Sequence, residues 1–144
     1  FMKTFVSAFS VIMLLVAGCG NASHNRADDL VLEKNDTGKA VLVFREYEHS
    51  FGKVSGGEKV GYVFKFENKG TADLVILAAI TTCGCTVPKY DKRPIHPGED
   101  GKLEVVFDTS GRNGMQIKTV TVRSNASVPV VVLKITAEVE ADIS

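Results

Sequence analysis

The chain has 144 residues, 44% hydrophobic and 24% charged, and its seventeen basic residues balance seventeen acidic ones. That length holds one domain of ordinary size, and that composition is globular rather than disordered or collagen-like. The charge balance lacks the basic excess on which nucleic-acid binders rely, so no nucleic-acid partner is expected.

Phe1 precedes Met2, where translation is taken to begin, and Lys3 gives a short positive start. From Phe5 to Ala17 (FVSAFSVIMLLVA) thirteen residues pass without a charge. That suits a secretory signal core and is short for a bilayer span. Val16-Ala17-Gly18-Cys19 follows and resembles the lipobox of bacterial lipoproteins. The resemblance implies a signal peptide over residues 1–18, cleavage before Cys19 and lipid attachment at Cys19. Several acyl chains, at about 0.8 kcal/mol per buried methylene, anchor stably where one binds only marginally. The membrane is therefore an expected partner. Residues 19–39 carry the lipidated cysteine and then a stretch poor in aromatic and β-branched residues, read as a flexible tether. No acidic run directly follows Cys19. The expected address is the bacterial cell envelope, on the outer membrane and facing the periplasm.

Residues 40–144 read as one all-β domain. Val60, Tyr62, Phe64 and Phe66 alternate with Gly61, Val63, Lys65 and Glu67, the period of a half-buried strand. Leu103, Val105 and Phe107 repeat the pattern, as do Leu133, Ile135, Ala137 and Val139. Residues 41–44, 74–80 and 118–123 supply further strands. Gly56-Gly57, Asn68-Lys69-Gly70, Pro97-Gly98 and Gly111-Arg112-Asn113-Gly114 carry turn chemistry between them. About seven short strands over a hundred residues predict an immunoglobulin-like β-sandwich. The Tyr62, Phe64 and Phe66 ladder is then core.

A series of short motifs runs through this domain. Phe51-Gly52-Lys53-Val54, Phe64-x-Phe66-x-Asn68-x-Gly70 and Leu74-x-Ile76 precede Cys83-Gly84-Cys85-Thr86. Pro94-Ile95-x-Pro97-Gly98, Phe107-Asp108, Gly111-Arg112-x-Gly114 and Ser124-Asn125 follow it. Together they resemble a bacterial family classified as domain of unknown function 1573, common in lipoproteins of Bacteroidetes-like organisms. The resemblance implies an immunoglobulin-like sandwich, similar to major-sperm-protein and ciliary-protein domains that act as interaction modules.

Cys83 and Cys85 are two of only three cysteines. Three readings of Cys83-Gly84-Cys85 stand side by side. An oxidising envelope favours a disulfide. Cysteines at i and i+2 of a straight strand lie near the upper limit of disulfide geometry, about 6.8 Å between Cα atoms, which a bend at Gly84 would relieve. Such a tight bond would add little loop entropy and would serve better as a redox element than as a staple. Alternatively, two thiolates on one face make a soft site for Cu(I), with His96 folding back as a third ligand. Lastly, both cysteines could end the strand that begins at Leu74 and pack as small core residues. His24 and His49 cluster with nothing in the sequence, and Met115 is read as ordinary packing.

Arg112 stands at a Gly-rich hairpin tip, either as an exposed contact in an interaction loop or folded back onto Asp108. No phosphate loop, nucleophile elbow or triad spacing occurs, so no enzyme is expected. The function predicted is a lipid-anchored interaction module that binds another envelope protein. The alternative is a Cu(I)-binding or thiol/disulfide redox protein built on Cys83 and Cys85.

Overall fold

The computed structural model describes residues 38–141. The predicted signal peptide, Cys19, His24 and all but the end of the tether lie outside the described residues. The described segment is all strand and turn: β1 (Leu42–Phe44), β2 (Glu48–Ser55), β3 (Lys59–Asn68), β4 (Ile76–Thr81), β5 (Thr86–Tyr90), β6 (Asp100–Asp108), β7 (Gly114–Ser124) and β8 (Val130–Glu140).

These strands form two four-stranded sheets, in the orders β1-β3-β6-β5 and β2-β8-β7-β4. All neighbours run antiparallel except β2, which lies parallel to β8. The period-two pattern sets which face each strand buries, because a strand's side chains alternate between faces. Phe64 and Phe66 of β3 and Leu103, Val105 and Phe107 of β6 face inward from one sheet. Val120 and Val122 of β7 and Leu133, Ile135, Ala137 and Val139 of β8 meet them from the other. An isolated bridge between Leu74 and Ile95 closes one end of this core, and both side chains are fully buried.

The immunoglobulin-like sandwich predicted from periodicity is present, with eight strands where about seven were expected. The two that periodicity missed are edge strands with disrupted patterns. β2 carries a bulge between Ser50 and Lys53, where Gly52 takes φ +69°, and buries only Val54 fully. Phe51-Gly52, which looks like a turn in the sequence, is that bulge. β5 contains Pro88, which a central strand would exclude and an edge strand tolerates.

Two glycines are required by close approach. A Cβ on Gly70 would lie 2.1 Å from the carbonyl oxygen of Lys39, because the chain entering β1 passes directly against it. Lys39 is held there by Thr71, whose N–H donates to the Lys39 carbonyl at 2.9 Å. A Cβ on Gly101 would sit 2.3 Å from the distal end of the Phe66 ring, which reaches over that glycine. His49, unassigned by the sequence, stacks on Tyr62 with centroids 3.5 Å apart. Tyr62 in turn donates its hydroxyl to Glu46, so it is the half-buried rim of the ladder rather than its core.

Candidate functional site

β4 and β5 are the edge strands on one side of the sandwich, in different sheets. The chain must therefore cross between sheets after Thr81, and it does so through Thr82, Cys83, Gly84 and Cys85. This crossing explains the local geometry. Cys83 and Cys85 sit in a turn, their Cα atoms 5.2 Å apart, and are joined as a disulfide. The turn brings the Cα atoms well inside the disulfide range, which an extended strand would barely reach.

The predicted strand-end placement is thereby corrected: β4 stops at Thr81, and both cysteines are half-buried rather than core. Thr81 Oγ1 lies 3.0 Å from both the Cys83 and the Thr86 carbonyls and fastens the turn across its base. The Thr86 N–H donates to the Cys83 carbonyl at 3.2 Å, and the Asp108 N–H to the Cys85 carbonyl at 2.8 Å. Gly84 is the free tip: a Cβ there would meet nothing within 4 Å, and its φ is not positive. Glycine is required there neither for space nor for backbone conformation.

The two sulfurs differ in their surroundings. Cys83 Sγ accepts the Cys85 N–H at 3.1 Å and faces Arg112 Nη2 at 3.8 Å. Cys85 Sγ has the Thr86 hydroxyl at 3.9 Å and packs partly against the core. Arg112 thus reaches the disulfide and does not fold back onto Asp108. It is presented by the β6–β7 loop, which is fixed at its root. Fully buried Thr109 places its hydroxyl against the Ser55 and Glu58 carbonyls at 3.0 and 2.7 Å. The Arg112 N–H then closes a turn onto the Thr109 carbonyl at 2.9 Å, with Gly111 at φ +69°. Asp108 is engaged elsewhere. Hydrogen bonds from Ser110, side chain and backbone, hold its carboxyl below the usual range, with Lys59 adding to the effect. Sequence spacing missed this convergence, because nothing in the chain order links residue 112 to residue 83.

His96 is not part of the site. It lies beside Ile95, which bridges to Leu74 ahead of β4, whereas Cys83 follows the other end of that strand. Six strand residues put these ends about 20 Å apart. His96 Nδ1 meets Asp73 Oδ1 at 2.9 Å instead. Among the described residues no group of three or more His, Cys, Asp or Glu is placed to hold a metal ion. With both sulfurs in a disulfide, a thiolate pair for Cu(I) exists only after reduction.

A second feature lies on the same strand. On the outer face of the β2-β8-β7-β4 sheet, Ile80 pairs with Thr121 and Thr121 with Val132, a row running in from the β4 edge. Val130 lies beside Arg123 in the next row. Leu77 is 63% exposed, Ile80 52%, Val132 52% and Val130 46%. Outward positions of a solvated sheet are ordinarily polar. The run Val128-Pro129-Val130-Val131-Val132, apolar at both parities, is the sequence signal that this face breaks the rule.

Comparison with solved structures supports the fold at low identity. A protein of unknown function from Porphyromonas gingivalis W83 is similar, with TM-score 0.61 and 19% identity over 69% of this chain. The ASH/PapD-like domain 7 of human CEP192 gives TM-score 0.56 and 14% identity over 72% of this chain and 87% of its own length. The secreted serine protease VesC of Vibrio cholerae gives 0.53 and 13% over 68% of this chain. This chain spans 46% of the Porphyromonas protein and 23% of VesC. No curated protein matches in sequence. Residues 42–139, the sandwich with its Cys83-Gly84-Cys85 turn and Arg112 loop, match a protein family of unknown function, DUF1573, and the chain belongs to that family.

Proposed function

We propose that this protein is a lipid-anchored interaction module of the bacterial cell envelope, a binding domain rather than an enzyme. Cys19 carries the lipid, residues beyond it tether the sandwich to the membrane, and the sandwich captures another envelope protein. The observation that carries the reading is the group of exposed apolar side chains beside the β4 edge, Leu77 and Ile80 on β4 and Val130 and Val132 on β8, flanking Thr121 and Arg123 of β7 and each about half exposed or more. Large apolar side chains left exposed together on one sheet face point to a contact surface. An adjacent edge strand offers unpaired N–H and C=O groups to which a partner can add a strand. The likeness to PapD-like and immunoglobulin-like sandwiches supports the architecture and adds nothing about the partner.

A photo-crosslinking residue at position 132 of the full chain, irradiated in the native envelope, tests the surface. The expected result is a discrete protein adduct that Ile80→Lys removes and that a crosslinker at Lys102, on the other sheet, does not form. Equal labelling from positions 132 and 102 overturns the reading. Fatty-acid labelling that survives Cys19→Ser would overturn the anchor separately.

A further inference from the structure

We propose that Cys83–Cys85 is a redox-active disulfide in which Cys83 is the exchanging sulfur, activated by Arg112 and the Cys85 amide, and that its co-reactant is a protein dithiol/disulfide. The inference does not rest on the interaction surface. Three observations converge on it.

First, the bond closes a turn of one intervening residue that other hydrogen bonds already hold, the Thr86 N–H donating to the Cys83 carbonyl at 3.2 Å. Thr81 fastens that turn without the sulfurs, and Asp108 ties it to β6. The bond removes little entropy from the unfolded chain, so stapling does not account for it. Second, both groups facing Cys83 Sγ favour a negative charge there: a backbone N–H at 3.1 Å and a guanidinium at 3.8 Å. Cationic neighbours and donated hydrogen bonds stabilise a thiolate and lower its pKa. Cys85 Sγ has only a hydroxyl nearby and leans on the core. Third, the tip at Gly84 stands clear, with nothing within 4 Å of where a side chain would begin. The turn is thus uncovered on its Gly84 side, and Cys83 is half-buried rather than enclosed.

The exchange balances as follows. In the reduced domain the Cys83 thiolate attacks one sulfur of a partner disulfide, forming a mixed disulfide on Cys83 and releasing one partner thiolate. That thiolate takes the Cys85 proton. The Cys85 thiolate then attacks Cys83 Sγ, reforming the internal bond and expelling the second partner sulfur as a thiolate. Two electrons pass from the domain to the partner, whose disulfide becomes a dithiol. In reverse, a partner thiolate attacks Cys83 Sγ and Cys85 leaves. The partner's potential sets the direction.

The test uses the full chain with Cys19→Ser in mild detergent, so that Cys83 and Cys85 supply its only thiols. After reduction, pulsed alkylation with iodoacetamide across pH is read by peptide mass spectrometry. Cys83 is expected to label first, with a midpoint below the ordinary thiol value of about 8.5. Arg112→Gln should slow its labelling at neutral pH about three- to tenfold, the modest range appropriate to an exposed charge, and Arg112→Lys should recover most of it. In a glutathione redox buffer held above the thiol midpoint, Arg112→Gln should shift the equilibrium toward the disulfide, because it removes a stabiliser of the thiolate in the reduced state. With glutathione disulfide as probe, Cys85→Ser should accept glutathione on Cys83 about tenfold faster than Cys83→Ser accepts it on Cys85. Faster reaction at Cys85, rates indifferent to Arg112→Gln, or a disulfide that glutathione reduces only after unfolding would each overturn the proposal. The last result would identify a staple.

Discussion

Replacing Asn68 with alanine tests how the chain's entry into the sandwich is held. Asn68 closes β3 and is fully buried. Its Nδ2 donates to the carbonyls of Ala72 and Ile95 at 2.8 and 2.9 Å. Its Oδ1 accepts the N–H groups of Gly70 at 3.0 Å and Val41 at 3.3 Å. One side chain thereby joins the chain entering β1, the turn after β3 and the segment that bridges to Leu74. At about 1 kcal/mol net per hydrogen bond, with the Val41 bond at the long end, Asn68→Ala should cost about 3–4 kcal/mol. That is a large share of the 5–15 kcal/mol typical of a domain, and it should lower the melting temperature by about 15–25 °C. Circular dichroism suits the melt, since the chain has no tryptophan. Asn68→Asp is the discriminating control. It keeps an acceptor for Gly70 and Val41 but turns a carboxylate toward two carbonyl oxygens, which raises its folded pKa. The part of its stability that depends on protonation is present below the ordinary carboxylate pKa and is lost as pH rises through the raised value. At neutral pH it should be at least as unstable as Asn68→Ala and should recover on acidification. A cost below about 1 kcal/mol for Asn68→Ala, or a neutral-pH Asn68→Asp as stable as the parent, would refute the hub.

Gly101→Ala should destabilise by about 1–3 kcal/mol, because the new methyl would run into the buried Phe66 ring; an unchanged denaturation midpoint would contradict it. Gly84→Ala should change stability by less than about 0.5 kcal/mol in the same assay, since its site is open and its φ ordinary. Acid should weaken the fold through Glu99 and Asp108. A backbone hydrogen bond from His96, then Arg93, holds the Glu99 carboxyl low, and Ser110, then Lys59, does so for Asp108. Folded pKa values below the unfolded ones mean stabilisation that is complete above about pH 4–5 and lost as pH falls through the depressed values. Melts taken from neutral pH downward check this, and Glu99→Gln with Asp108→Asn should flatten the acid limb. An undiminished limb in that double variant would assign it to other groups.

Much of the sandwich was legible because its central strands obey a period of two without interruption. β3, β6 and the second half of β8 each alternate buried and exposed positions as their residues prescribe. The edges were harder, because an edge strand has one neighbour and tolerates what breaks a pattern, as Gly52 does in β2 and Pro88 in β5. The site was half legible. Cys83, Cys85 and Arg112 stand out by type and local context, but the sequence reads the cysteines as a strand end. Only the sheet order shows that the chain must change sheets there and turn. The pairing of Arg112 with Cys83 depends on two loops that leave different strands at the same end of the sandwich, which no local spacing encodes. The turn at Asn68 is legible in the sequence, but its glycine has a different reason from the one turn chemistry suggests. Asn-Lys-Gly is turn chemistry, yet Gly70 has no positive φ and is glycine because Lys39, Ala40 and Val41 press against it.

The proposed contact face and the proposed redox turn meet at the end of β4, with Ile80 three residues ahead of Cys83 in the turn that follows. A partner that adds a strand along β4 would run its chain past the Cys83–Cys85 bond, so docking would present a partner sulfur at high effective concentration. The two functions nonetheless depend on different atoms and should separate. Ile80→Lys disturbs the apolar row but leaves Arg112, Thr81 and the turn in place, so it should abolish the adduct formed from position 132 while exchange with glutathione keeps its rate. The double variant Cys83→Ser with Cys85→Ser removes exchange but leaves the outer face intact, so the adduct should persist. Loss of both readouts in either folded variant would mean that the disulfide shapes the contact face, and the two proposals would then collapse into one structural role.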